Sequence, residues 1–402
     1  MIKTSKRLLL LCLATTALAV PAQAGDVPAV VDVILQNIER QTQSKPTYES
    51  IETDGSGTIT ITNLSMAPKA ADGGGTMTFT MGSMTLEDVS EEDDGLYDIG
   101  SATFSNVKAE MKGPDGQGFV AEMPEGSAED WYIKDAGGQP TAMDAMRASM
   151  TVAKKMSSGK ITVTAMGQTF TTDGYESTWD GDPATGAGTF STKISNVVIP
   201  EEALAAIDPS NTLKQLGYSG LTFDISGDGT FSIDGDNMGL DMNFAYAGKD
   251  MGALKFSISA SDIPVAIYGE LQKAQTTGKE PDFSALMPQL QNVSFGGFTF
   301  RFEDASITKK LLPMAAAMQG MDEAAMVANA GAMLQLTLMQ LNNQAFTDQV
   351  VGAVNAFLKD PKSLTIALKP AAPVKVQELM TLNPADPNAA ITKLGVSVTA
   401  ND

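Results

Sequence analysis

From Tyr48 to about Pro264 the chain runs in short segments in which apolar residues alternate with Thr and Ser, punctuated by clusters of Gly, Asp and Asn. Period-two alternation sends successive side chains to opposite faces of a strand, so each segment can bury only one face. Thr58-Ile59-Thr60-Ile61, Thr76-Met77-Thr78-Phe79-Thr80-Met81, Lys160-Ile161-Thr162-Val163-Thr164 and Leu240 to Tyr246 all follow the pattern. An apolar face backed by a hydroxyl-rich one suits an antiparallel sheet wetted on one side, and the intervening clusters suit tight turns.

Helical spacing appears at both ends of this region. Val30, Val31, Ile34, Leu35 and Ile38, with Asp32, Gln36, Glu39 and Arg40 between them, predict one amphipathic helix over residues 27 to 44. Phe295 to Phe302 predicts another strand, and residues 307 to 358, rich in Ala, Leu, Met and Gln, predict helices broken near Gly320 and Asn342-Asn343. Ala332 to Leu341 is apolar nearly all round, which predicts burial between other elements, and as ten residues it is too short to span a bilayer. Ser363 to Leu368 and Leu394 to Thr399 predict closing strands either side of a turn bounded by Pro370 and Pro373.

The expected fold class is α+β: extended antiparallel β-sheets with a C-terminal helical region. Two echoes point to a duplicated sheet module, with one copy before and one after about residue 145. Runs ending in Asn or Asp followed by an aliphatic recur at Asn63-Leu64, Asn106-Val107, Asn196-Val197 and Asp262-Ile263, and Tyr48 to Ile61 resembles Tyr218 to Ile233. The expected divisions are a signal peptide at 1–24, an N-terminal helix and first β-rich module at 25–145, a second module at 146–300, and a helical region with closing strands at 301–402.

Lys3, Lys6 and Arg7 precede an apolar run from Leu8 to Val20 that closes on Ala22-Gln23-Ala24. This order predicts a cleavable signal peptide and a periplasmic address, with no transmembrane segment in the mature chain. Cys12 lies inside the apolar run after Leu11, a poor setting for a lipid anchor. Cleavage would remove three positive charges from a chain whose net charge is already −21, along with its one cysteine. Nucleic acid is thereby disfavoured as a partner, because phosphate binding rests on clustered Lys and Arg.

The chain contains no histidine. Ser-His-Asp and Cys-His catalysis and the usual zinc, copper and haem ligand sets are therefore excluded, leaving carboxylate, lysine or tyrosine as a general base. Asp224 to Thr230 matches the first half of a calcium loop, but the twelfth position is Gly235 rather than a bidentate glutamate. Asp54 to Gly57 and Asp180 to Asp182 are weaker versions, and turn chemistry accounts for all three without an ion. Glu91 to Gly95 is more simply a solvated turn. Ser157 to Lys160 and Ser306 to Lys309 have Ser-x-x-Lys spacing but lack the companion elements of a Ser-Lys enzyme.

Met314, Met318, Met326, Met333, Leu336 and Met339 in the C-terminal helices are the candidate ligand-binding residues. Methionine is most often adaptable core filler, next an apolar surface that accepts varied partners, and least often a copper ligand.

The succession Phe302-Glu303-Asp304-Ala305-Ser306-Ile307 into Leu311-Leu312, then Ala356 to Ile366, Lys369 to Val374 and Val396 to Asn401, resembles the C-terminal region of uncharacterised periplasmic proteins of alphaproteobacteria. Those families of unknown function are loosely similar to AsmA-like envelope proteins. The resemblance implies a sheet-rich, non-catalytic periplasmic protein, and it carries over no functional residues. The expectation is a non-enzymatic envelope protein without cofactor, metal or catalytic residue, binding a lipid, another apolar ligand or an envelope protein. The alternatives are a carboxylate-dependent periplasmic hydrolase and a calcium-binding structural surface protein.

Overall fold

The computed structural model describes residues 27–68, 76–92, 95–113, 118–138, 140–277, 280–383 and 386–402. The expected signal peptide, with Cys12, lies outside the described residues, as do Asp93 and Asp94 of the acidic run. The fold is α+β, with seventeen strands among the described residues and with helices concentrated in the C-terminal half. Every strand pairing within the units described below is antiparallel.

The chain divides into two compact units, one reaching Ile199 and including Val265–Ser284, the other comprising Pro200–Pro264 and Ala285–Asp402. These limits differ from the expected divisions. Hydrogen bonding is the reason: β5 (Gly118–Lys134) pairs with β6 (Val152–Ser158) across residue 145, and a single strand, Ser294–Asp304, runs through residue 300.

In the first unit β1 (Ser50–Thr53) and β2 (Ile59–Met66) form a hairpin that continues through β3 (Thr76–Glu91), β4 (Leu96–Lys112) and β5. β6, β7 (Ile161–Ala165), β8 (Gln168–Thr172), β9 (Gly174–Gly181) and β10 (Gly188–Pro200) complete it. Val30, Val31, Val33 and Ile34 of the Ala29–Thr42 helix are buried in the same core as Ile61, Leu64, Phe79, Leu86 and Ile99 of the strands. The helix starts and ends as its spacing predicts, to within two residues.

The long strands of this unit break their alternation along shared rows. Asn63 of β2 and Asn106 of β4 hold left-handed backbone (φ 48° and 50°), and the register places Gly82 of β3 between them. A second row sets Gly100 of β4 between Asp88 of β3 and Asp130 of β5 (φ 53° and 46°). A Cβ on Gly82 would lie 3.1 Å from that of Asn106, and one on Gly100 3.0 Å from that of Asp88, so glycine makes the room. Across each row the core positions step by three rather than two: Ile61 to Leu64, Met81 to Met84, Phe104 to Val107, Ile99 to Ala102. Because neighbouring strands step together, the apolar face stays on one side and the pairing stays in register. Asn and Asp are the side-chain-bearing residues that enter left-handed backbone most readily.

The recurring Asx-aliphatic pairs thus have a structural meaning different from the expected strand ends. Asn63, Asn106, Asn196 and Asp262 all have positive φ inside strands. The second echo is not a structural repeat. Tyr48 to Ile61 forms the β1–β2 hairpin, whereas Tyr218 to Ile233 leads into β11 (Gly220–Asp234), which runs without a turn.

The second unit is a sheet in the order β11, β12 (Asn237–Gly248), β13 (Gly252–Pro264), β14 (Ser294–Asp304), β15 (Ser363–Leu368), β17 (Val396–Ala400), with β16 (Val374–Lys375) also on β14. Phe244, Phe256, Phe300, Ile366 and Val398 form one cross-strand row. Phe357 of the Gln344–Lys359 helix meets Phe302 edge-on at 5.9 Å. The helical region breaks where predicted, with left-handed Gly320 and Asn342 in the gaps.

Asp402 closes this sheet. Its Oδ2 accepts from Thr399 Oγ1 at 2.8 Å and its Oδ1 from Arg301 Nη1 at 2.6 Å. Those bonds, Thr399 first and then Arg301, hold the carboxyl down at about 2. A carboxyl bound more weakly to protons when folded contributes stability above its ordinary pKa, and that contribution fades as the pH falls towards 2. Asp402→Asn is therefore expected to speed amide exchange in β14, β15 and β17 at pH 7. The difference from the parent chain should disappear by about pH 2.

Candidate ligand-binding site

The six expected ligand-binding residues lie largely towards solvent on the C-terminal helices. Met318, Met333, Leu336 and Met339 are 80%, 70%, 67% and 56% exposed, and Met314 and Met326 are half-buried. The expected burial of Ala332 to Leu341 also fails. The Glu323–Leu338 helix packs through Val327 and Gly331, and a Cβ on Gly331 would lie 2.6 Å from Asn355 Oδ1 of the next helix. The close contact uses the small residues, leaving the long ones on the outer side. The continuous stretch Glu323–Leu341, 19 residues of mean hydropathy 1.2, is long and apolar enough to cross a membrane by length and composition.

The calcium expectation meets a different local structure. Asp224 to Thr230 is not a loop but the middle of β11, paired residue by residue with Ala247 to Asp241 of β12. Gly229 serves close strand approach, since a Cβ there would lie 2.2 Å from Asp241 O. Asp54 does sit in a turn, where its Oδ1 accepts from Ser56 N at 2.8 Å and Thr58 N at 3.1 Å. Asp182 similarly accepts from Ala184 N at 3.0 Å and Thr185 Oγ1 at 2.7 Å. Among the described residues no three acidic, His or Cys side chains gather as a metal site. Ser306 Oγ donates to Asp250 O at 2.5 Å, and Lys310 lies 3.8 Å over the Tyr218 ring.

A cavity of about 250 Å³ lies in the first unit between the Ala29–Thr42 helix and the sheet. The inner face of the helix contributes Ile34, Asn37, Ile38 and Gln41, placed together by their three- and four-residue spacing. The strands contribute Phe79, Phe104, Trp131 and the methionines Met66, Met81, Met84, Met123 and Met156. Phe104 and Trp131 meet edge to face at 5.8 Å, an arrangement their ring quadrupoles favour. Ala148 from the Ala142–Ser149 helix and the following Met150 and Thr151 close one side. Among the described residues no carboxylate lines this cavity. Asp98, held above the ordinary carboxylate range first by burial and then by Asp130, also lies away from it.

Beside the cavity is an open cleft of about 400 Å³. Asn37, Gln41 and Ala148 line both spaces, so the two adjoin. Arg40, Gln43 and Ser149 give the cleft a polar wall, completed by Gly269 from the Ala266–Thr277 helix. Asn37 is buried, with Nδ2 donating to Lys134 O at 2.9 Å and Oδ1 accepting from Arg40 Nη1 at 3.3 Å.

Sequence reasoning overlooked this site because its strand methionines are scattered over four strands and read only as alternating apolar positions. The available signal was Thr76 to Met84, where methionines and Phe79 occupy the apolar phase on both sides of Gly82. Comparison with curated proteins gives no match. Residues 245–401 match the model of a family described as an uncharacterized protein, so over its C-terminal stretch this chain is similar to a family of unknown function.

Proposed function

We propose that this chain is a non-enzymatic envelope protein that holds an apolar ligand, a lipid acyl chain or a molecule of similar shape, in the cavity of its first unit. One observation carries the reading: a cavity whose walls are mostly methionine, aliphatic and aromatic side chains. Apolar cavities exclude water and accept apolar guests, and flexible thioethers let one lining adapt to different shapes. Export to the periplasm, read from Lys3 to Ala24, would place such a protein among acyl lipids. The resemblance of Phe302 to Asn401 to uncharacterised periplasmic proteins, themselves loosely similar to AsmA-like envelope proteins, supports the envelope part of this reading.

The neutral fluorescent probe N-phenyl-1-naphthylamine is expected to bind the full mature chain saturably, with one site, and to raise its unfolding midpoint. Val107→Phe places a ring in the cavity beside Met81 and Phe104. It is expected to weaken probe binding at least about tenfold while the fold survives, because the added volume enters a void. Unchanged binding in that variant would refute the assignment.

A further inference from the structure

We infer that the natural ligand is amphiphilic with an anionic head, its tail lying in the apolar cavity and its carboxylate or phosphate oxygens meeting Arg40 in the adjoining cleft. The inference rests on the apolar-ligand reading and adds the chemistry of the other end. Asn37, Gln41 and Ala148 line both spaces, which sets the cleft directly beside the cavity. Arg40 lies one helical turn from Asn37, on the rim where tail and head would meet.

Arg40 suits this task in an otherwise acidic chain. Nη1 donates to Asn37 Oδ1 at 3.3 Å and Nη2 to Gly137 O at 2.8 Å, which orients the guanidinium and leaves further donors of its fork open. Among the described residues it forms no ion pair. Glu39 shares a neighbouring groove with Arg40, and among the described residues the two are not bonded and no acid lines the cleft itself. The nearby carboxylates of Asp135 and Asp144 are engaged with Gly137 N at 2.8 Å and with Thr141 N at 3.1 Å. A half-buried guanidinium with open donors binds an oxyanion through charge-assisted hydrogen bonds. A neutral or cationic head would forgo those bonds or be repelled.

The test uses the full mature chain and three ligands with the same tail: dodecanoate, dodecanol and dodecyltrimethylammonium, titrated calorimetrically at low and high salt. Dodecanoate is expected to bind about tenfold more tightly than dodecanol at low salt, the equivalent of one partly screened charged hydrogen bond. The cation should bind most weakly. Arg40→Gln should bring dodecanoate to the dodecanol affinity measured in the same variant, and a urea unfolding midpoint close to that of the parent controls for folding. Arg40→Lys should restore part of the preference. Equal affinity for dodecanoate and dodecanol in the parent chain, or a preference that survives Arg40→Gln, would overturn the head-group assignment and leave the apolar cavity standing. If none of the three ligands binds, the apolar reading fails together with it.

Discussion

Deleting Asn106 is expected to abolish the cooperative unfolding of the first unit, whereas Asn106→Gly is expected to leave its stability within about 1 kcal/mol of the parent. Glycine accepts the φ of 50° at this position, so the step in β4 survives that substitution. Deletion removes the step from β4 alone, while β3 keeps Gly82 and β5 is paired to the old spacing. Beyond the cut, Val107, Ala109 and Met111 would slip by one residue, and a one-residue slip turns a strand's apolar set to the other face. Exposing those three side chains loses about 4 to 6 kcal/mol before the broken ladders are counted. That is comparable with the ~5–15 kcal/mol net stability of a whole domain. Both tryptophans of the chain, Trp131 and Trp179, lie in this unit, so tryptophan fluorescence during urea unfolding reads it selectively. A deletion variant that melts sharply near the parent midpoint would show that β4 tolerates the slip.

Elements with a local cause were legible in the sequence. The first helix follows from the spacing of Val30, Ile34 and Ile38, and the breaks in the C-terminal helices follow from Gly320 and Asn342, which hold left-handed backbone. The hairpin turn at Asp54 was legible for the same reason. The aligned rows were not, because a row is a relation between Asn63, Gly82 and Asn106, far apart in the chain, and no single strand reveals which residue its neighbour will set opposite. The cavity is hidden in the same way. Met66, Met84, Met123 and Met156 look alike as alternating core positions until the folded sheet leaves space among them. The exposed Met333 and Leu336 mark the reverse error, since apolarity all round predicts burial but cannot say whether the rest of the chain supplies it.

Arg147→Ala is expected to destabilise the first unit by about 3 to 5 kcal/mol, and Arg147→Met by about 1 to 3. Arg147 is 2% exposed on the Ala142–Ser149 helix. Its Nε donates to Pro183 O at 2.7 Å and its Nη2 to Tyr132 O at 3.2 Å, tying the helix to β5 and to the turn between β9 and β10. Burial pulls its pKa down to about 10, with Asp182 opposing. A fall of that size corresponds to about 3 kcal/mol spent on desolvating the cation. Two hydrogen bonds from a charged donor return about 3 to 6 kcal/mol against that desolvation and against the cost of Nη1, which is buried without a hydrogen-bond partner. Methionine removes the cation and its desolvation together but strands two carbonyls, which yields the smaller loss. Alanine adds a cavity to that deficit, which yields the larger one. Urea midpoints at unchanged slope would separate the two variants, and Arg147→Met proving more stable than the parent would mean that desolvation dominates. The substitution should also reach the ligand site. Ala148, next to Arg147 on the same helix, lines both cavity and cleft, so loosening the clamp is expected to weaken N-phenyl-1-naphthylamine binding in Arg147→Ala even where the unit remains folded.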